Sequence, residues 1–132
     1  MKKLIIAFLL LPFVGMAQYR ESGDTIFVNN KMLVPGDTVH LGMGSDPYKN
    51  FIFIYLKPTI LNISMVNGVA QLNYLKSDNA YQYLIFGGMD FKGKKQKKYG
   101  GMPYFYLNGY KNPRNTFYIK LLPAVESKEI NF

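Results

Sequence analysis

Between Asn79 and Leu122 three short β-prone runs follow one another, each broken off by turn residues, and this stretch limits the possible folds more than any other. The last run is the clearest. Phe117, Ile119 and Leu121 fall on one side of a period-two ribbon, and Thr116, Tyr118, Lys120 and Leu122 on the other, so the spacing predicts a strand over Thr116–Leu122. Ahead of it, Asn-Gly-Tyr-Lys-Asn-Pro-Arg-Asn (108–115) is turn chemistry: Asn and Gly tolerate positive φ, and Pro113 fixes its own. The second run is Met102–Leu107 and the first about Tyr81–Phe91. Between these two lies Lys92–Lys98, five lysines in seven residues. Three consecutive strands joined this way form an antiparallel meander.

The N-terminus bears on the compartment. Lys2 and Lys3 precede an apolar stretch, Leu4–Ala17, which ends in the small residues Gly15 and Ala17 around Met16. That is the layout of a secretory signal peptide cleaved before Gln18. The apolar stretch of 14 residues is shorter than the roughly 20 that span a bilayer, so removal is expected over a retained anchor. No cysteine follows it, which excludes a lipoprotein signal. The short Lys-Lys start is of a bacterial kind. The expected location is periplasmic or secreted, with residues 1–17 removed, 18–24 a flexible lead-in, and 25–132 a single domain without a transmembrane span.

Without its leader the chain keeps 14 basic residues against 8 acidic ones, a balance of +6. It contains no cysteine, so neither a disulfide nor thiolate chemistry is available, and packing alone must hold the fold. Aromatic side chains bury large areas and favour strands, and every tyrosine and all but two phenylalanines lie after the leader.

Taken in order, Thr25–Val28 and Met32–Val34 flank Asn29-Asn30-Lys31 as a small hairpin. Thr38–Leu41 is a short strand. Residues 42–50, rich in Gly, Pro, Asp and Asn, form a loop. Phe51–Leu56 is an uncharged apolar run that would aggregate on an exposed edge, so it is expected inside the sheet, covered on both sides. Asn67-Gly68 marks a turn between Leu61–Val66 and Val69–Leu75, a second hairpin; Val69, Leu72 and Leu75 also recur at helical spacing, which leaves a short helix within 69–76 as the alternative. Pro123 suits a first helical turn, so residues 123–130 are expected to close the domain with one turn of helix. The fold class is all-β: a small antiparallel SH3-like or OB-like barrel of about five strands, with a short N-terminal hairpin and a C-terminal helical turn.

The segment Gly36–Ser45, the Phe-Ile-Phe-Ile strand after it, and the closing Phe-Tyr-Ile-Lys-Leu-Leu-Pro-Ala-Val-Glu-Ser-Lys-Glu-Ile look like those of small exported bacterial domains with an SH3-like β-barrel and no established activity. The resemblance spans Asp24–Ile130. It implies a fold and a compartment and carries no functional residues with it.

Catalytic and metal signatures are sparse. His40 is the sole histidine, and a zinc site needs three or four ligands. Gly42-Met43-Gly44 begins like a phosphate loop, but a strand follows where a helix N-terminus would have to hold the anion; glycines supplying unusual backbone angles in a loop are the simpler reading. Nearly all of the eight carboxylates fall in turns or near the termini, where solvent keeps them ordinary, and a glycosidase needs two at a fixed separation. Asp90 stands apart, next to Phe91 at a strand end, and is read as the start of the lysine turn. No serine has a nucleophile-elbow context. The chain is therefore expected to be neither an enzyme nor a cofactor carrier.

The lysine run is the main departure from an average sequence. It is either a solvated hairpin tip or a contact for an anionic partner, worth on the order of 1 kcal/mol per lysine at an anionic lipid surface. Candidate partner-binding residues are Lys92, Lys94, Lys95, Lys97, Lys98 and Tyr99, with Tyr104 and Tyr106, which share one strand face. The expected function is non-enzymatic binding of an anionic envelope component or a protein partner. A single-stranded nucleic-acid-binding barrel is the alternative the Lys and Tyr mix also fits, although an exported protein meets little nucleic acid. A small periplasmic enzyme or inhibitor is the third. A concave pocket beside the strand faces discriminates among them, because a filled barrel has none.

Overall fold

A computed structural model describes residues 19–59, 64–90 and 101–132. The protein is mostly β, with antiparallel sheets, one of them curled into a half-barrel, and among the described residues a single short α-helix near the C-terminus. The expected meander is present as β8 (Tyr83–Asp90), β9 (Met102–Leu107) and β10 (Thr116–Ile119), paired in sequence order. Around it, β4 (Thr38–Leu41) pairs with β8, β11 (Ile130–Asn131) with β4, and β5 (Ile54–Leu56) with β10. The order across the six-stranded sheet is β11-β4-β8-β9-β10-β5. The chain thus crosses from one side of the sheet to the other between β4 and β5.

A smaller sheet joins β1 (Tyr19–Ser22), β2 (Thr25–Val28) and β3 (Lys31–Leu33). The segment expected as a loose lead-in is therefore a strand over most of its length, with Tyr19 opposite Val28 and Ser22 opposite Thr25. The turn between β2 and β3 has positive φ at both Asn29 and Asn30, the primed geometry that matches strand twist. Asn67-Gly68 has the same geometry between β6 (Ser64–Val66) and β7 (Val69–Gln71), so the hairpin reading of this segment holds and the helical one does not.

One face of the large sheet meets the small sheet. Ile26, Val28 and Leu33 pack with Val39, Leu84, Phe86, Phe105, Phe117 and Ile119 in a single buried cluster. Phe86 and Phe105, directly opposite on β8 and β9, have ring centroids 5.2 Å apart. Burying each such side chain contributes about 1.5–3 kcal/mol.

Phe51–Leu56 differs from expectation. Only Ile54–Leu56 is strand, and it lies on the outside of the six-stranded sheet. Its free side is closed by a neighbouring segment: Leu75 N–H donates to the Ile54 carbonyl and Leu56 N–H to that of Asn73. The aggregation risk is thus met by a covering segment. Phe51 is buried, whereas Ile52 is exposed.

The reason Ile52 and Phe53 leave the strand is Glu129. Its carboxyl is fully buried and accepts from the backbone N–H groups of Ser45 (3.2 Å), Ile52 (2.8 Å) and Phe53 (3.1 Å), and from the Ser45 hydroxyl. The expectation that the carboxylates near the termini stay solvated fails here, because donors from a loop some eighty residues away replace the water. Glu129 follows α1 (Leu121–Glu126), which begins two residues before Pro123 and buries Leu121 and Ala124. Pro123 sits in the first turn, where its missing N–H has no partner to lose.

Gly42 and Gly44 belong to the same clasp. A Cβ on Gly42 would lie 2.4 Å from the Lys128 carbonyl oxygen, and one on Gly44 2.2 Å from that of Lys49. They are needed for close backbone approach; neither has positive φ.

Candidate functional site

The other face of the large sheet carries a stripe of polar and aromatic side chains set by strand alternation. Tyr104 and Tyr106 on β9 share it, as expected, and the register puts Tyr104 opposite Tyr118 and Tyr106 opposite Thr116. Tyr118 in turn faces Tyr55 on β5. The rings meet edge to face: Tyr104 and Tyr106 at 5.8 Å and 78°, Tyr55 and Tyr118 at 5.9 Å and 83°. This arrangement sets the electron-poor edge of one ring against the electron-rich face of the next.

Room for the first pair comes from β8. Its register shifts between Phe86 and Gly88, a β-bulge. A Cβ on Gly87 would stand 2.4 Å from Tyr104 Cε2 and 2.7 Å from Tyr106 Cε2. The missing side chain is what seats the two rings, and Gly88, with φ of 134°, continues the bulge in a conformation glycine tolerates.

A concave cleft of about 400 Å³ opens over this corner, within the roughly 300–1,000 Å³ typical of small-ligand sites. Tyr104 and Tyr106 form its aromatic wall, with Thr116 beside them. Lys57, Thr59, Asp90, Lys111, Asn112 and Pro113 complete the lining. Asp90 is half-buried; its Oδ2 accepts from Lys57 Nζ at 2.8 Å and from the Tyr118 hydroxyl at 2.6 Å. Lys57 Nζ also lies 5.5 Å from the Tyr104 ring centre and 5.8 Å from that of Tyr118. Burial first, and then the Asp90 carboxyl, push the Tyr118 phenol well above its usual range. Burial and the neighbouring Tyr106 push Tyr104 upward as well. Both phenols therefore remain donors at neutral pH.

Lys111 stands differently. It is exposed, and its Nζ lies 5.9 Å from the Tyr106 ring centre. Next to it, Asn112 caps a 3-10 turn (Pro113–Asn115): its Oδ1 accepts from the Arg114 N–H at 2.8 Å.

Of the residues expected at the site, Tyr104 and Tyr106 lie together in the cleft wall. Lys92, Lys94, Lys95, Lys97, Lys98 and Tyr99 fall outside the described residues; in sequence the run begins two positions after Asp90. Sequence reasoning did not bring Lys57, Asp90, Lys111 and Tyr118 together. Part of that set had a usable signal, since Tyr55 and Lys57, Tyr104 and Tyr106, and Thr116 and Tyr118 all repeat at period two. Lys111 and Asn112 come from a turn, where no periodicity applies. His40 is exposed on β4, opposite Tyr83. Among the described residues no three of His, Cys, Asp and Glu are grouped as metal ligands, and no helix is long and apolar enough to cross a membrane. No protein-family model, no curated protein and no solved structure matches this chain.

Proposed function

We propose that this protein is an exported, non-catalytic binding module of the bacterial SH3-like-barrel kind, whose tyrosine-walled cleft contacts an anionic component of the cell envelope or a protein partner displaying one. The observation that carries this reading is the cleft itself: a concavity over Tyr104 and Tyr106 with cationic and neutral polar side chains converging on it. Pockets of that make-up bind, whereas a filled barrel offers no recess. Asp90, the carboxyl in the described lining, is engaged by Lys57 and Tyr118, which suits a structural tether better than a general acid. The lysine run next to Asp90 in sequence would add long-range attraction for the same ligand, weakened by salt.

The test is retention of the purified protein on envelope material, anionic vesicles and lipopolysaccharide across a salt series. Retention that falls with salt, drops on Lys94, Lys95, Lys97 and Lys98→Ser, and is lost on Tyr106→Ala is the expected result. Absence of retention on all three, or retention indifferent to Tyr106→Ala, overturns the proposal. Micromolar binding to single-stranded DNA, with none to envelope material, would favour a nucleic-acid-binding barrel.

A further inference from the structure

Within the described lining of the cleft the charges are unequal. Lys57 and Asp90 compensate each other at 2.8 Å. The Asp90 oxygen in that pair also takes the Tyr118 hydroxyl. Lys111 therefore remains as a cation that no carboxyl of the described lining compensates. Its contact with the Tyr106 ring, at 5.9 Å, lies at the outer limit of about 6 Å for a cation–π pair. The ammonium can swing from the ring to an arriving anion with little lost. A lysine on an exposed turn suits that capture, since its four-carbon stem is flexible and its head a compact charge.

Beside Lys111, the fold has prepared a neutral donor. The Asn112 oxygen is held by the Arg114 N–H, so its amide group is oriented, and its NH₂ remains a donor on a residue that lines the cleft. Thr59 adds a hydroxyl to the lining. In the same lining, the edge-to-face tyrosines make a corner of 78°. Such a corner offers one ring face to lie against and a second ring to close the side. The electron-rich face of a tyrosine attracts partly positive hydrogens, and the axial C–H groups of a sugar ring present them on one side, while its hydroxyls point outward to amide and hydroxyl partners.

Resting on the binding-module reading above, we infer that the cleft takes an acidic sugar: its ring lies against Tyr106, an edge hydroxyl meets the Asn112 amide, and its carboxylate or phosphate is held by Lys111. An acidic peptide would use Lys111 equally but would leave the tyrosine corner and the oriented amide without a ring of hydroxyls to read. A neutral sugar would use the corner and leave Lys111 unused.

Calorimetric titration of the purified protein at low salt with four probes decides this: trigalacturonate, maltotriose as its neutral counterpart, glucose 6-phosphate, and triaspartate. The expected result is an acidic sugar binding about tenfold tighter than maltotriose, the scale of one charge-assisted contact. Lys111→Met should erase that difference, and because Lys111 is exposed the thermal melt of the variant should match the wild type. Tyr106→Ala should abolish both. Preference for glucose 6-phosphate over trigalacturonate supports the inference and assigns the acid group to phosphate. Neither acidic sugar binding tighter than maltotriose, or an acidic preference that survives Lys111→Met, overturns it. So does triaspartate binding as tightly as the acidic sugars. If none of the sugars binds while retention on envelope material persists, the acidic-sugar inference falls and the binding-module reading stands; if both are absent, both fall.

Discussion

Two carboxyl groups in this protein are held in opposite ways. Glu129 lies wholly inside, and among the described residues its hydrogen-bond partners are donors from the neighbouring loop: three backbone N–H groups and a serine hydroxyl. Asp90 lies at the rim of a cleft and is held by a lysine and a tyrosine hydroxyl. The first arrangement fixes the path of the main chain, because the partners are main-chain groups. The second leaves the backbone alone and fixes side chains in a place that solvent reaches. A buried carboxyl is tolerable only when donors replace its hydration. A rim carboxyl keeps part of its hydration, so its partners are available to orient neighbours. The difference assigns Glu129 to the fold and Asp90 to the site.

Substituting Glu129 should give the largest effect. In Glu129→Gln one oxygen becomes an NH₂, and whichever way the amide turns it faces at least one N–H that needs an acceptor. We expect a loss of about 3 kcal/mol, since each unsatisfied or opposed buried donor costs roughly 1–3 kcal/mol. That corresponds to a melting point lowered by roughly 10 °C in a domain of this size. Urea melts of the variant check it. A loss below that of an ordinary surface substitution would mean that the loop 42–53 is held by something other than Glu129.

The next effect belongs to the site's side of the comparison. Gly87→Ala inserts a methyl group where the Tyr104 and Tyr106 ring edges lie within 3 Å. Overpacking of this kind costs about 1–3 kcal/mol, and we expect about 2 kcal/mol together with loss of ligand retention as the rings swing out. Unlike Glu129→Gln, this variant should lose binding out of proportion to stability. Equal loss in both would mean that the bulge serves the fold and not the cleft.

Asp90→Asn should cost less, about 1 kcal/mol, because the Lys57–Asp90 pair is partly solvated and such pairs are worth little. The amide oxygen can still accept from Tyr118. The variant makes the cleft more positive by one charge, so affinity for an anionic ligand should rise while stability falls. Stability measured beside retention at two salt concentrations separates these. A cost equal to that of Glu129→Gln would remove the distinction between the two carboxyls.

Much of the frame is legible in the sequence, and the reason is local. Strands β4 and β9 fall on the boundaries given by alternation, because Thr38–Leu41 and Met102–Leu107 end at turn residues whose backbone geometry is intrinsic. Tyr104 and Tyr106 are placed on one face by counting in twos. Glu129 is not legible, because its partners Ser45, Ile52 and Phe53 are 76 to 84 residues away and leave no trace in its own neighbourhood. For the same reason Phe51–Leu56 reads as a six-residue strand although its first half bends to reach that carboxyl. Tyr19–Ser22 reads as polar and loose because its pairing with β2 uses main-chain groups, to which composition is blind. The cleft combines Lys57 and Asp90 from two strand ends with Lys111 from a turn, so only the assembled sheet shows it.

The smallest effect at neutral pH, and the sharpest in its pH dependence, is expected of Tyr118→Phe. Removing one of two donors from Asp90 while Lys57 stays should cost about 1 kcal/mol or less near pH 7. At high pH the sign is fixed by linkage. The Tyr118 phenol is pushed above its ordinary range, by burial first and by Asp90 second. An unfolded chain releases that proton near pH 10, while the folded chain keeps it. The unfolded state then binds fewer protons, so the stability tied to the neutral phenol is fully present below about pH 10 and is lost as pH rises beyond it. Tyr55 and Tyr104 are raised as well, chiefly by burial, so some of the slope should survive in the variant. Urea midpoints of wild type and Tyr118→Phe, followed from neutral pH upward, should run parallel until about pH 10 and then converge as the wild type loses its advantage. Profiles that stay parallel throughout would mean that the Tyr118–Asp90 bond does not hold the phenol neutral. Asp90 would then be tethered to the site by Lys57 alone, leaving a contrast with Glu129 that rests on a single ion pair.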